Sequence, residues 1–372
     1  MKQSVIKRLL LAVSLALVFS SGAKAQEWSM VEGRVVDSAT KEGIPLCNIY
    51  LSGTSYGMLT DKTGKFIIKN LPPGEYTMVI SHIAYGNMVK TIDLLNGNKD
   101  LGTISLKEVV TNLSTGVTVE SSEDKKWKSR FRKFSRFMMG ENFKAKNIEY
   151  RNPWVAEFTE EKRGVLRPEN EFSLQIENRY LGYRTNYLVT DFMISNRLQY
   201  VVGYPNFEPM ESGNAKEQRK WKRNREEAYT GSLRHFFKSL LENTLEENEF
   251  IANLTNADPE KLQDHYERVI DKSNYSFALN LSEPRVQKLI KIESTENENI
   301  KRITCKSIIE VYHIGSVDED GESPRSMIKM ESDSFLVYTN GVLVNMRSLR
   351  LFGFFSQRGL YELLPFEYDL TK

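Results

Sequence analysis

Residues 57–82 read GMLTDKTGKFIIKNLPPGEYTMVISH, in which short apolar runs are separated by two turn signals. The first signal, Asp61-Lys62-Thr63-Gly64, has aspartate first and glycine last, as a type I turn prefers. The second, Leu71-Pro72-Pro73-Gly74, predicts a type II turn because proline fixes φ and the glycine supplies a positive φ. Short apolar runs between such turns indicate β-strands.

The same pattern continues on both sides of this stretch, from residue 26 to residue 110. It includes a further tight-turn signal at Asn96-Gly97. Short strands at regular spacing, with turns between them, predict an antiparallel β-sandwich. The seven predicted strands are Met30–Asp37, Pro45–Leu51, Gly57–Thr60, Phe66–Asn70, Tyr76–His82, Val89–Leu94 and Leu101–Leu106.

Several groups of residues in this segment resemble the carboxypeptidase-regulatory-like domain found in Bacteroidota-type bacteria. They are Gly33-Arg34-Val35-Val36-Asp37, Gly43-Ile44-Pro45-Leu46, Asn48–Thr54, Thr60–Phe66 and Leu71–Tyr76. The resemblance implies a seven-stranded sandwich of the transthyretin (prealbumin) type. Such domains accompany metallocarboxypeptidases and head many outer-membrane receptors, and they are not catalytic themselves.

The first 25 residues predict a secretory signal peptide. Lys2, Lys7 and Arg8 precede an apolar run at residues 9–19, and Ala23-Lys24-Ala25 forms a cleavage signal. The apolar run is shorter than the roughly 20 residues that cross a bilayer. We therefore expect cleavage near Ala25 and export to the periplasm or the outer membrane.

Beyond the sandwich, residues 111–124 predict a polar linker, and residues 125–372 predict an α+β domain with two or three helices. Glu217 follows Asn214 at the spacing of a capping box before the second helix. Asn340-Gly341 is a strong hairpin signal. The later predicted helices are 216–228, 233–241 and 258–269, and the predicted strands are 172–177, 184–194, 198–204, 275–281, 286–292, 300–314, 334–339 and 342–350.

The first helix of this region, residues 125–139, is amphipathic. An aromatic stripe lies among seven cations, and it leaves two interpretations open. In the first interpretation, which describes the more common arrangement, the stripe packs on the domain. In the second, the helix makes a peripheral membrane contact in which the aromatic side chains enter the lipid interface. The stripe is Trp127, Phe131, Phe134 and Met138, and the cations are Lys125, Lys126, Lys128, Arg130, Arg132, Lys133 and Arg136.

Other motifs in this region resemble the second halves of carboxypeptidase-regulatory-like proteins. They are Gly182-Tyr183, Gly203-Tyr204-Pro205, Trp221 with Arg223-Asn224-Arg225, and residues 229–237, which read YTGSLRHFF. This resemblance implies no activity. Tyr180, Tyr183 and Tyr187 form a group that could stack on sugar rings, although packing of a half-buried sheet face is the more common role.

The sequence predicts no catalytic, cofactor-binding or metal-binding residue. A zinc carboxypeptidase needs a His-x-x-Glu pair, and none of His82, His235, His265 and His313 has glutamate three residues later. The acidic stretch at residues 318–321 lacks the ligand spacing of an EF-hand and is expected to be a solvated loop.

Charge and cysteine content limit the remaining classes of function. A balance of 51 basic and 49 acidic residues excludes a general electrostatic attraction to nucleic acid. Cys47 and Cys305 each share a strand face with apolar residues, which favours separate burial over a disulfide, although export permits one.

Two functional hypotheses follow. In the first, the chain is a non-catalytic envelope protein whose sandwich binds a protein or a glycan, with partner strands added at exposed sheet edges. In the second, it is an exported hydrolase or peptidase-associated protein with an unrecognised site in residues 125–372. The absence of recognisable catalytic motifs favours the first.

Overall fold

The computed structural model describes residues 28–95, 97–109, 125–195, 199–255, 279–280, 290–316, 323–345 and 348–370. The predicted signal peptide, the linker, the 258–269 helix and the acidic stretch at 318–321 lie outside the described residues. The fold is mainly β with an α+β second region, as predicted.

The first region is a sandwich of two sheets with the order β4-β1-β7 and β3-β2-β5-β6. β7 runs parallel to β1 and the other neighbours are antiparallel, so the prediction of a wholly antiparallel sandwich was wrong at this pair. The strands are β1 Ser29–Asp37, β2 Asn48–Leu51, β3 Gly57–Leu59, β4 Lys65–Leu71, β5 Glu75–His82, β6 Tyr85–Asp93 and β7 Lys99–Leu106.

Of the three predicted turns of the sandwich, the one at Asn96-Gly97 includes a residue outside those described, and the other two have different outcomes. The Asp61–Gly64 turn is confirmed, because the Gly64 N–H donates to the Asp61 carbonyl at 3.0 Å. Gly74 is not among the glycines with positive φ, so the type II turn was wrong. The Tyr76 hydroxyl instead donates to the Pro72 carbonyl at 2.7 Å, and a side chain thus stabilises this connection.

After residue 124, a six-stranded sheet has the order β8-β11-β12-β10-β9, with β13 paired to β12. Helix α1, Lys125–Met139, packs against this sheet, and together they enclose one apolar core. The strands are β8 Ile148–Tyr150, β9 Phe158–Glu161, β10 Val165–Pro168, β11 Phe172–Asn178, β12 Tyr183–Ile194 and β13 Gln199–Pro209, with short 3-10 turns at Ala145–Asn147, Pro153–Val155 and Lys162–Gly164.

A second core of this region lies among helices and two further sheets. The sheets have the orders β15-β14-β18-β19-β21 and β16-β17-β20. The helices are α2 Ala215–Tyr229, α3 Leu233–Glu242 and α4 Phe354–Gln357, with a 3-10 turn at Leu360–Glu362. The strands are β14 Phe250–Thr255, β15 Leu279–Asn280, β16 Lys291–Ser294, β17 Ile300–Thr304, β18 Ile308–His313, β19 Arg325–Met330, β20 Ser334–Tyr338 and β21 Leu349–Gly353.

Three sequence predictions fail in this second part. The single strand predicted at 300–314 is two strands in different sheets, divided at residues 305–307. In the described part of the strand predicted at 342–350, Leu343 forms an isolated bridge after the Asn340-Gly341 turn, and β21 begins at Leu349. Asn214 caps α2 by accepting from the Lys216 N–H at 2.9 Å, but Glu217 bonds the Ser212 hydroxyl and does not complete the capping box.

The sandwich docks on the six-stranded sheet through the outer face of β2 and β5. Tyr50 and Val79 on this face are buried together with Leu188 of β12. The Tyr50 hydroxyl donates to the Tyr204 carbonyl at 3.0 Å, and the Gly53 N–H donates to the Pro205 carbonyl at 2.6 Å. Both faces of β2 and β5 are therefore buried.

Candidate functional site

The unpaired side of the sandwich is the edge of β6. Its first residues pair with the chain after β7, because the Gly86 N–H donates to the Lys107 carbonyl at 3.1 Å. Among the residues that the structure describes, 87–93 pair only with β5 and end the four-stranded sheet. An edge strand of this kind presents unpaired backbone N–H and C=O groups to a partner.

An apolar row crosses the sheet and ends at this edge. Tyr50 lies opposite Val79, and Val79 lies opposite Val89, so the three side chains share one face. Tyr50 and Val79 are buried by the second region, whereas Val89 is 39% exposed. The row that docks the sandwich thus continues beyond the docked surface.

The other long edges of the sandwich are less regular. β7 has a register shift against β1 and contains Gly102 at a φ of 63°, which indicates a bulge. β4 lies beside β3 of the facing sheet, and the start of β6 likewise lies beside β7. The feature that distinguishes the β6 edge is Val89, which ends the docking row and is half-exposed.

Two histidines that are distant in sequence meet in the second core. His235 of α3 and His313 of β18 have ring centroids 6.0 Å apart. The Gly231 N–H donates to His235 Nδ1 at 3.2 Å, and the His235 ring also bonds the Asn248 side chain. Burial lowers the pKa of His235 to about 4, so this ring is neutral at pH 7.

His313 and Ser316 form the one contact that resembles a nucleophile and its base in the described part of the chain. His313 Nδ1 and the Ser316 hydroxyl oxygen are 2.7 Å apart. A Cβ atom on Gly231 would collide with both groups, so the Gly231 backbone lies against the pair on one side. The Ser316 N–H also donates to the His313 carbonyl at 3.2 Å, and the side-chain contact therefore closes the 313–316 turn.

Arg234, beside His235 on α3, holds the chain terminus. Its guanidinium donates to the carbonyls of Pro365, Phe366 and Tyr368 at 2.8, 2.8 and 2.6 Å. We call residues 363–368 the C-terminal strap. The strap also reaches the sandwich, because the Phe366 N–H donates to the Gly53 carbonyl at 2.7 Å. Burial lowers the pKa of the guanidinium, and the cation contributes to stability through these carbonyls.

An open cleft of about 630 Å³ lies between α2 and the chain after β13. Trp221 and Arg225 line it, but their polar groups point into the fold. The Trp221 indole donates to the Arg179 carbonyl at 3.1 Å, and Arg225 donates to the Leu181 carbonyl at 2.7 Å. The cleft has few convergent polar groups of the kind that fix a small ligand.

The remaining residues singled out in the sequence are structural. Tyr183 and Tyr187 are buried in the first core of the second region, and Tyr180 stacks on Tyr361, which confirms packing as the role of this group. Cys47 and Cys305 are free and buried in different cores, as expected. His265 lies outside the described residues.

The aromatic stripe of α1 packs on the domain, as the more common interpretation predicts. Phe134 and Met138 are buried, and Trp127 and Phe131 pack against the same core. The aromatic side chains of this stripe therefore cannot enter a lipid interface, and that form of membrane contact was wrong.

Within the described residues, no group of three or more His, Cys, Asp or Glu side chains is arranged to hold a metal ion. A separate result concerns the membrane: none of the helices described has the length and apolar character to span a bilayer.

Sequence reasoning missed the docked face and the row that leads to β6. The signal was present in two uninterrupted apolar runs, Ile49-Tyr50-Leu51 and Met78-Val79-Ile80. A strand with one solvated face alternates in polarity, and a continuous apolar run indicates that both faces are buried. The contact between His235 and His313 has no comparable signal.

Comparison with known proteins identifies the first region. Residues 31–119 match the family model of the CarboxypepD_reg-like domain, which confirms the resemblance for this domain. A search of the curated proteins finds no match to the chain.

Some solved structures are similar to a small part of the chain. A cohesin–X-dockerin complex from Acetivibrio cellulolyticus is 25% identical over 20% of this chain and 52% of its own, with a TM-score of 0.17. The pilus 2b backbone protein of group B streptococcus is 14% identical over 22% and 42%, with a TM-score of 0.19. The major pilin BcpA of Bacillus cereus is 16% identical over 22% and 31%, with a TM-score of 0.20. The chain spans about half or less of each of these proteins.

Proposed function

We propose that this chain is an exported, non-catalytic cell-envelope protein of a Bacteroidota-type bacterium, and that its sandwich binds a partner protein at the edge of β6. The predicted signal peptide at residues 1–25 supports a periplasmic or outer-membrane location. The match of residues 31–119 to the carboxypeptidase-regulatory-like family supports a binding role for the sandwich.

The observation that carries the proposal is the row Tyr50–Val79–Val89, which leaves an apolar side chain half-exposed on a regular edge strand. A partner strand added to residues 87–93 gains backbone hydrogen bonds and covers Val89. Lys90 is exposed on the opposite face of β6, and a lysine on an edge strand disfavours pairing with a second copy of the same strand.

A protein partner is favoured over a glycan by the side chains along this edge. Residues 87–93 read NMVKTID and contain no aromatic ring. Glycan-binding surfaces use exposed aromatic rings as stacking platforms, whereas strand addition needs backbone groups and an apolar contact.

The experiment is a crosslinking pull-down from intact cell envelopes with the full chain tagged at its C-terminus. We compare Val89→Glu with Ile67→Glu, a matched control on the edge strand β4 whose side chain is 42% exposed. We expect one envelope protein to be recovered with the parent and with Ile67→Glu, and to be lost with Val89→Glu.

Equal recovery with all three chains would contradict binding at β6. Recovery of a glycan in place of a protein, or cleavage of a peptide or glycan by the purified chain, would overturn the proposed function. Circular dichroism of each variant checks that the sandwich remains folded.

A further inference from the structure

The outer face of α1 carries a stripe of four cations, Lys125, Lys128, Arg132 and Arg136. They are three or four residues apart and therefore line one side of the helix over about 16 Å. All four side chains are exposed. None forms an ion pair with another residue in the part of the chain that the structure describes.

This arrangement does not favour the stability of the helix. The first turn of α1 contains no acidic residue, although the helix dipole favours acids there and disfavours lysines. Like charges three or four residues apart also repel each other. An anionic partner along the stripe would offset both costs.

Helix α2 also carries six cations, but three glutamates accompany them, whereas α1 has seven cations and no acidic residue. Asn214 caps its first turn, Glu217 lies within that turn, and Arg223 pairs with Glu227 at 3.7 Å. The charges of α2 thus suit an ordinary solvated helix, and α2 provides a matched control for α1.

The length of the stripe favours an extended surface over a small ligand. The helix buries its aromatic side against the first core of the second region, and the stripe lies on its exposed side over about 16 Å. A row of this length can meet several anionic groups at once, as the headgroups of an anionic lipid surface present them.

We propose that the cationic stripe of α1 docks the protein on an anionic lipid surface by charge. The inference rests on the proposed envelope location and is independent of partner binding at β6. Each cation close to an anionic leaflet increases partitioning roughly fivefold. The four together contribute about two to three orders of magnitude.

The test measures co-sedimentation of the purified mature chain with vesicles of phosphatidylglycerol and phosphatidylcholine, and with vesicles of phosphatidylcholine alone. We expect binding only to the first, with loss at high salt. The combined variant Lys125→Gln, Lys128→Gln, Arg132→Gln and Arg136→Gln should lower partitioning by about a hundredfold or more. The matched variant Lys216→Gln, Arg219→Gln, Lys220→Gln and Lys222→Gln removes the same charge and should leave partitioning within about threefold.

Equal loss in the two combined variants would show an effect of net charge and overturn the proposal. Failure of the parent to bind anionic vesicles, or tighter binding to a soluble polyanion such as heparin, would also overturn it. Val89→Glu should keep vesicle binding, so a failure of partner binding at β6 is distinguishable from a failure here.

Discussion

The sandwich and the region after residue 124 each contain one polar side chain that binds several backbone groups, and the two side chains differ in the sequence distance to their partners. In the sandwich, the Asp61 carboxylate accepts from the Thr63 and Lys65 N–H groups at 2.7 and 2.9 Å, two and four residues away. In the second region, Arg234 bonds the strap at separations of 131 to 134 residues. Asp61 thus shapes a single turn of the first region, whereas Arg234 joins distant segments of the second.

This difference determines which substitutions act locally and which uncouple the molecule. A turn residue stabilises only the strands on either side of it. A buried cation that binds distant carbonyls stabilises every element that those carbonyls belong to. Because the strap touches both regions, Arg234 is expected to have the widest effect.

The largest expected effect is that of Arg234→Met. The substitution leaves the carbonyls of Pro365, Phe366 and Tyr368 without their donor, and we expect a loss of about 4 kcal/mol in the free energy of unfolding. We also expect the sandwich to unfold separately from the second region, as two transitions in calorimetry. A single unchanged transition would show that the strap does not couple the regions. The free energy of unfolding of Arg234→Lys should lie between those of the parent and of Arg234→Met.

The next effect concerns pH and His235. Its pKa is lowered by burial to about 4 in the folded chain, so the unfolded chain binds more protons below pH 6.5. Stability from the neutral ring is therefore fully present above pH 6.5 and is lost as the pH falls toward 4, by about 3 kcal/mol at most.

Urea unfolding at pH 7 and pH 5 measures this loss. His235→Gln should reduce the pH dependence of the free energy of unfolding. Some pH dependence should remain, because burial also lowers the pKa of His313. An equally steep pH dependence in His235→Gln would contradict a buried neutral His235.

A smaller effect is expected at the docked face. Tyr50→Phe removes the hydrogen bond to the Tyr204 carbonyl, which is 3.0 Å long, and keeps the apolar contact with Leu188. We expect a loss of about 1 kcal/mol. The free energy of unfolding measured by urea titration checks this value, and no change would indicate that water replaces the donor.

The smallest effect is expected in the sandwich turn. Asp61→Ala removes an acceptor that bonds only Thr63 and Lys65, and those bonds hold the pKa of the Asp61 carboxyl below its ordinary value. We expect a slightly lower unfolding midpoint for the sandwich and an unchanged stability of the second region. Hydrogen exchange of each region measures this directly, and faster exchange in β12 would contradict a local role.

The contrast also explains what the sequence could predict. All seven sandwich strands are predicted within a few residues, since turn chemistry and alternation are local properties. The bounds of α1 are predicted without error because its stripe follows the helical period. The break at residues 305–307 was missed because sheet partners, which the local pattern does not encode, decide which sheet each half joins.

The candidate sites show the same limit. Arg234 and His235 have chemistry that a sequence search notices, but only the fold reveals that both side chains turn inward. The β6 edge has little distinctive chemistry, and it is identified by the register of Val89 with Val79. Reactive residue types can be recognised in a sequence. An unpaired backbone edge is much harder to recognise there.

The central claim is that the edge of β6 meets a partner protein, and a photo-crosslinker at position 89 tests it most directly. The same probe at position 67, on β4, is the control. In living cells we expect position 89 to crosslink to one envelope protein and position 67 to give no such product. Crosslinking from both positions alike, or from neither, would contradict a binding edge at β6.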